Sequence, residues 1–139
     1  MRADFYLIDK PRFREQPLLL VCELAKKAFA ARLPLLVLAR DFAQAEAVDE
    51  LLWSFDEDSF IPHQMAGDED DASTAVLIVP PGIETDDRPL VINLRDTCAP
   101  GRYERVLEVV SADPAARDGS RARWTEYRRR GFEVGKFDM

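Results

Sequence analysis

The chain has 139 residues, 47% hydrophobic and 32% charged, a composition that excludes a disordered polymer and suits one globular domain over residues 1–139. Lysine and arginine number 19 against 26 aspartates and glutamates, so the net charge is −7 and the body is a poor general binder of nucleic-acid backbones. No apolar run reaches the roughly 18 residues of a membrane helix, the N-terminal apolar run is too short for a signal peptide, and Cys22 and Cys98 form no CxxC pair, so a reduced, cytoplasmic protein is expected.

Phe5-Tyr6-Leu7-Ile8 reads as a first buried strand. Helical spacing of Val21, Ala25 and Ala28 predicts a helix over about 17–32, ended by Pro34. Leu35–Ala39 is a second buried strand. Asp41 is an N-cap for a helix over about 42–53, with Ala45, Val48, Leu51 and Leu52 on its apolar side. Ala75–Val79, Leu90–Asn93 and Arg105–Val110 read as three more strands. Asp113-Pro114 starts a last helix that runs to about Arg130, where Gly131 stops it; Gly119 is an expected weak point. The acidic stretches 67–73 and 82–89 read as exposed loops. Continuous apolar strands alternating with helices predict an α/β fold of three layers, a mostly parallel sheet with helices on both faces.

Such sheets often bind nucleotides, and phosphate loops need glycine. The first glycine here is Gly67, so the turns after the first two strands have none, and no GxGxxG or Walker pattern exists. His63 is the only histidine, which excludes a two-histidine metal site, and no GxSxG elbow accompanies it. The acidic run 68–71 lacks calcium-loop spacing. Cys22 beside Val21 reads as packing. No cofactor, metal or catalytic residue is expected.

Two segments carry more information. Residues 53–65 hold Trp53, Phe55, Phe60, Ile61, Pro62 and Met65 where a surface connection should run. These groups either tuck under the loop or form an exposed protein interface. On the last helix, Arg117, Arg121, Trp124 and Arg128 fall at i, i+4, i+7 and i+11, one helical face. Residues 112–131 hold 6 basic and 3 acidic side chains, against 10 and 19 in residues 1–100. Three guanidiniums around an indole suit an acidic, aromatic-containing peptide with a free carboxylate. The same pattern also fits a solvated basic face with Trp124 turned inward.

Several stretches in this order resemble the chi subunit family of bacterial DNA polymerase III holoenzyme: Phe5-Tyr6-Leu7-Ile8-Asp9, Leu20–Ala25, Val48–Trp53, Ser59–Gly67, Val91–Arg95, Tyr127-Arg128 and Gly131-Phe132. The resemblance covers essentially the whole chain. It implies a nucleotide-binding-like fold without a phosphate loop, and a non-catalytic adaptor of the replisome. It implies two partners. The psi subunit of the clamp loader, or in some bacteria an iron–sulfur helicase, would meet Trp53, Phe60, Ile61, Pro62 and His63. The acidic C-terminal tail of single-stranded DNA-binding protein would meet Val110, Arg117, Arg121, Trp124 and Val134, with Arg128 nearby. Family members carry Tyr where Trp124 stands and usually Lys at Arg117, changes that keep an aromatic wall and a cation. DNA would be reached mainly through that tail; direct binding of single-stranded DNA by the arginine helix is the alternative, and no membrane partner is expected.

Overall fold

The computed structural model describes residues 1–139. Seven strands form one sheet: β1 (Arg2–Leu7), β2 (Leu35–Leu38), β3 (His63–Met65), β4 (Val76–Val79), β5 (Leu90–Asn93), β6 (Arg105–Val110) and β7 (Glu133–Asp138). Their order is β3-β4-β2-β5-β6-β1-β7, and every pair is parallel. The helices are α1 (Pro11–Glu15), α2 (Pro17–Ala30), α3 (Phe42–Ser54) and α4 (Arg117–Arg129). No helix is long and apolar enough to cross a membrane.

β2, β4 and β5 are buried at every position, because helices or loops cover both faces. On one face, Leu20, Val21, Leu24 and Ala25 of α2 and Val48 and Leu52 of α3 pack on Leu35, Val37, Val76, Ile78 and Ile92. On the other, Tyr127 of α4 packs with Phe5, Leu36, Leu77 and Val106. Three layers result, as the sequence predicts. Asp41 caps α3 as expected, accepting the Gln44 N–H at 2.7 Å. Cys22 is buried in the first core, where desolvation pushes its thiol up to about 12.

The structure adds two strands and a helix to the sequence reading. β3 is only three residues long, and α1 a single turn or so. β7 is an edge strand, mostly polar and exposed, so its sequence carries no apolar signal. β1 begins at Arg2, three residues before the predicted start, with the charged Asp4 fully buried in it. The charge is tolerated because Arg105 donates to Asp4 Oδ2 at 2.6 Å and Arg2 Nε lies 2.8 Å from Oδ1. Gly135 is the register partner of Asp4, and a Cβ there would come within 2.6 Å of the Arg2 guanidinium.

The last helix also differs. Asp113 does cap a turn, its Oδ1 accepting from Ala115 N–H at 3.0 Å, but Pro114–Ala116 is a 3-10 turn and α4 proper starts at Arg117. The irregularity thus lies before Gly119, which sits in the first turn of an unbroken helix. Gly131 ends α4 with φ +89°. Phe132 N–H donates to Tyr127 O and Gly131 N–H to Arg128 O, both at 3.0 Å, the two bonds of a Schellman close. Phe132 then packs back on Tyr127, the rings tilted with centroids 5.2 Å apart.

Candidate functional site

The connections after the neighbouring strands β1 and β6 leave toward opposite faces, α1 and α2 to one and α4 to the other. Their carboxyl ends therefore part at a topological switch point, where α/β sheets bind ligands. A cleft of about 610 Å³ opens there. Its apolar lining is Phe5, Leu7, Ile8, Val110 and Trp124, and its cations are Arg117 and Arg121 from α4 and Lys136 from β7.

The base of this cleft is pinned from below. Glu108 of β6 is fully buried and accepts from Arg123 Nε at 2.9 Å, Tyr127 OH at 2.6 Å and Asn93 Nδ2 at 2.6 Å. Burial raises its pKa, and the three donors oppose that shift. Every neighbour is a donor and the Tyr127 hydroxyl itself accepts from Ala99 N–H at 2.9 Å, so the surroundings are arranged around the ionised form of Glu108. Arg123 and Tyr127 lie one turn apart on α4, so this anchor fixes the helix and turns Trp124, between them, toward Phe5, ring centroids 5.2 Å apart. Trp124 is half-buried: one face joins the second core and another walls the cleft.

The arginines of this region divide by partner. Arg123 is bound to Glu108, and Arg129 and Arg130 to Glu126, whose carboxyl those two hold down at about 2. Arg117, Arg121 and Arg128 form no ion pair and no side-chain hydrogen bond within the chain. Those three are the arginines that helical spacing assigns to the Trp124 face.

The sequence-derived tail site is split by the geometry. Val110, Arg117, Arg121 and Trp124 line the switch-point cleft. Arg128 and Val134 line a second depression on the far side of Trp124, with Arg2 and Phe132. A ring held on Trp124 would thus not lie between Val110 and Val134 within one cavity; the indole separates them. Lys136 was missed in the sequence reading because β7 itself is illegible there.

At the other end of the sheet, Trp53 is 59% exposed and Phe60 65%, with ring centroids 5.8 Å apart. Two of the five residues expected at this interface need correction. Ile61 is only 2% exposed and belongs to the first core, and the His63 side chain has 0% exposure. Both point inward because the chain is already extended toward β3, so alternate residues face opposite ways. Neither side chain is presented at the surface; they support the exposed pair. His63 lies under Trp53 at 4.6 Å between ring centroids, its Nδ1 2.7 Å from Ile61 O and its Nε2 3.1 Å from Asp49 O. Pro62 is half-buried. β3 is one edge of the sheet, so four to five interstrand spacings, about 19–24 Å, separate this patch from β6 and β1 at the cleft.

The turn after β1, where nucleotide-binding sheets place phosphate, has its amides occupied. Asp9 N–H and Lys10 N–H both donate to Met139 O, at 2.6 and 2.9 Å. No group of three or more His, Cys, Asp or Glu side chains converges as a metal site.

An α/β sheet whose switch point carries free cations and an aromatic wall, in place of a glycine phosphate loop, has the chemistry to accept an anionic group. The comparisons with known proteins make the assignment more specific. The family model described as "DNA polymerase III chi subunit, HolC" matches residues 1–135. DNA polymerase III subunit chi of Pseudomonas aeruginosa is 37% identical over 139 residues, covering 96% of this chain and 93% of that protein. The subunit of the same name from Escherichia coli is 30% identical over 141 residues, covering 95% and 94%. The chain belongs to the DNA polymerase III chi subunit family.

Proposed function

We propose that the chain is a non-catalytic replisome adaptor that joins two partners at the two ends of its sheet. The switch-point cleft takes the acidic C-terminal tail of single-stranded DNA-binding protein. The tail's aromatic residue lies against Trp124 and Phe5, its terminal carboxylate meets Arg121, and upstream acidic residues meet Arg117 and Arg128. The exposed pair Trp53–Phe60 docks the psi subunit or an iron–sulfur helicase, and the coated DNA is reached through the tail. The observation that carries this reading is the partition of the arginines of residues 117–130: those flanking Trp124 are the ones without an intramolecular partner, on a chain of net charge −7. Ion pairs held in solvent contribute about 0–1 kcal/mol each, so the aromatic contact and the Arg121 pair formed inside the cleft carry most of the affinity.

The test is one titration series by calorimetry: an acidic peptide ending in phenylalanine, naked single-stranded DNA, and ATP. Saturable binding of the peptide alone is expected. Tight binding of naked DNA with a steep salt slope would instead favour direct DNA binding by α4, and saturable ATP binding would overturn the adaptor reading.

A further inference from the structure

Lys136 enters the cleft from the wall opposite α4. It is the register partner of Phe5, and it follows Val134 by two residues, so both lie on the α4 side of β7. Lys136 lines the cleft together with Arg117, Arg121 and Trp124, whereas Val134 falls beyond the indole. Its ammonium is exposed and forms no ion pair or hydrogen bond within the chain, although Asp138 stands two residues further along the same face. Asp113 is the only carboxylate lining the cleft, and its Oδ1 is taken by Ala115 N–H.

Resting on the reading of this cleft as a tail receptor, we infer that Lys136 and Arg121 form a two-sided clamp on the terminal carboxylate. A carboxylate offers about four acceptor positions. A guanidinium fork satisfies them from one side only, and a compact ammonium can take the remainder from the other. The terminal carboxylate is attached to the same Cα as the aromatic side chain. With the ring seated on Trp124 and Phe5, that group must stay within the cleft, between the helix wall and the β7 wall. Acidic side chains upstream leave along α4 toward Arg128, which is about 10 Å from Arg121 along the helix axis and outside the cleft. Lys136 therefore senses the free terminus and not the overall negative charge of the ligand.

The probe is a short aspartate-rich peptide ending in phenylalanine, as the free acid and as the C-terminal amide, measured at fixed salt. Lys136→Ala, a change on an exposed edge strand, is expected to weaken the free acid by roughly 3- to 10-fold, between an exposed pair and a charged hydrogen bond. It is expected to change the amide by less than about 2-fold, and Lys136→Arg is expected to restore the free acid, as any surviving cation there should. Arg128→Ala, in contrast, should affect both peptides alike. Equal loss on the two peptides from Lys136→Ala, or no loss on the free acid, overturns the clamp and leaves the cleft assignment standing. Failure of the unaltered protein to bind the free acid overturns the cleft assignment, and the clamp with it.

Discussion

Two clefts of nearly the same volume, about 610 and 600 Å³, lie at opposite ends of the parallel strands. The one at the carboxyl ends of β1 and β6 has an apolar floor and cations with no internal partner. The one at the amino ends of β2, β4 and β5 is lined by Asp68, Glu69, Asp71, Glu84, Asp86 and Asp87, and its single cation is Arg88. Arg88 is buried, and it donates to Ala75 O at 3.0 Å, Asp71 O at 2.8 Å and Leu35 O at 3.3 Å. It ties loops to the sheet and has little left to offer a ligand. Volume does not separate these two clefts; uncommitted hydrogen-bonding capacity beside apolar surface does.

The sharpest way to break the contrast is to give the basic cleft the sign of the acidic one. Arg121→Glu should weaken the acidic peptide by at least about 100-fold, near 2.7 kcal/mol, measured by calorimetry. Tyr127→Phe attacks the anchor below. It removes one donor from buried Glu108 and leaves Ala99 N–H without its acceptor, so urea unfolding should show a loss of about 2–3 kcal/mol. Arg121→Ala should cost at least about 10-fold in peptide affinity, and amidating the peptide a similar amount. The two together should cost clearly less than their sum, because they delete the same contact. Asp86→Asn with Asp87→Asn, in the acidic cleft, should raise peptide affinity by less than about 2-fold at low salt and not at all at physiological salt. The clefts are a sheet length apart, and the Debye length there is about 8 Å.

Acid should separate the two ends as well. Asp71 is held below the usual carboxylate range by Gly67 N–H first, then by Gln64, Asp68 N–H and Arg88. Its contribution to the 64–74 loop is present above the unfolded value near 4 and is lost as pH falls through the lower folded value. Glu108 has a raised pKa, so the cost of burying its charge is borne above that raised value and relieved as pH falls through it. Hydrogen exchange followed from pH 6 downward should show the 64–74 loop opening before α4 does.

How much was legible in the sequence follows the physics of each segment. Leu35–Leu38, Val76–Val79 and Leu90–Asn93 are unbroken apolar runs, readable because they are buried on both faces. The Arg117, Arg121, Trp124 and Arg128 face was readable because helical spacing alone fixes it. β7 was not, since an edge strand needs no apolar pattern and Gly135 breaks what alternation it has. Asp4 and Glu108 were invisible as interior charges, because Arg105 and Arg123 stand about 100 and 15 residues away and meet them only in the folded chain. The family resemblance puts Ile61 and His63 at an interface, whereas period-two alternation entering β3 decides the direction of their side chains.

The position of β1 in the sheet also bears on how the chain is made. Its two neighbours are β6 and β7, from residues 105–110 and 133–138. β1 leaves the ribosome before either neighbour and must therefore wait, unpaired on both sides, while about a hundred further residues are synthesised. Pairings this distant in sequence form late and slowly. A prematurely terminated product would carry Phe5, Tyr6, Leu7 and Ile8 without their strand partners, an apolar segment open to chaperones, proteases and aggregation. The cleft, whose walls come from segments as far apart as Phe5 and Lys136, thus forms only in molecules whose synthesis has passed residue 136.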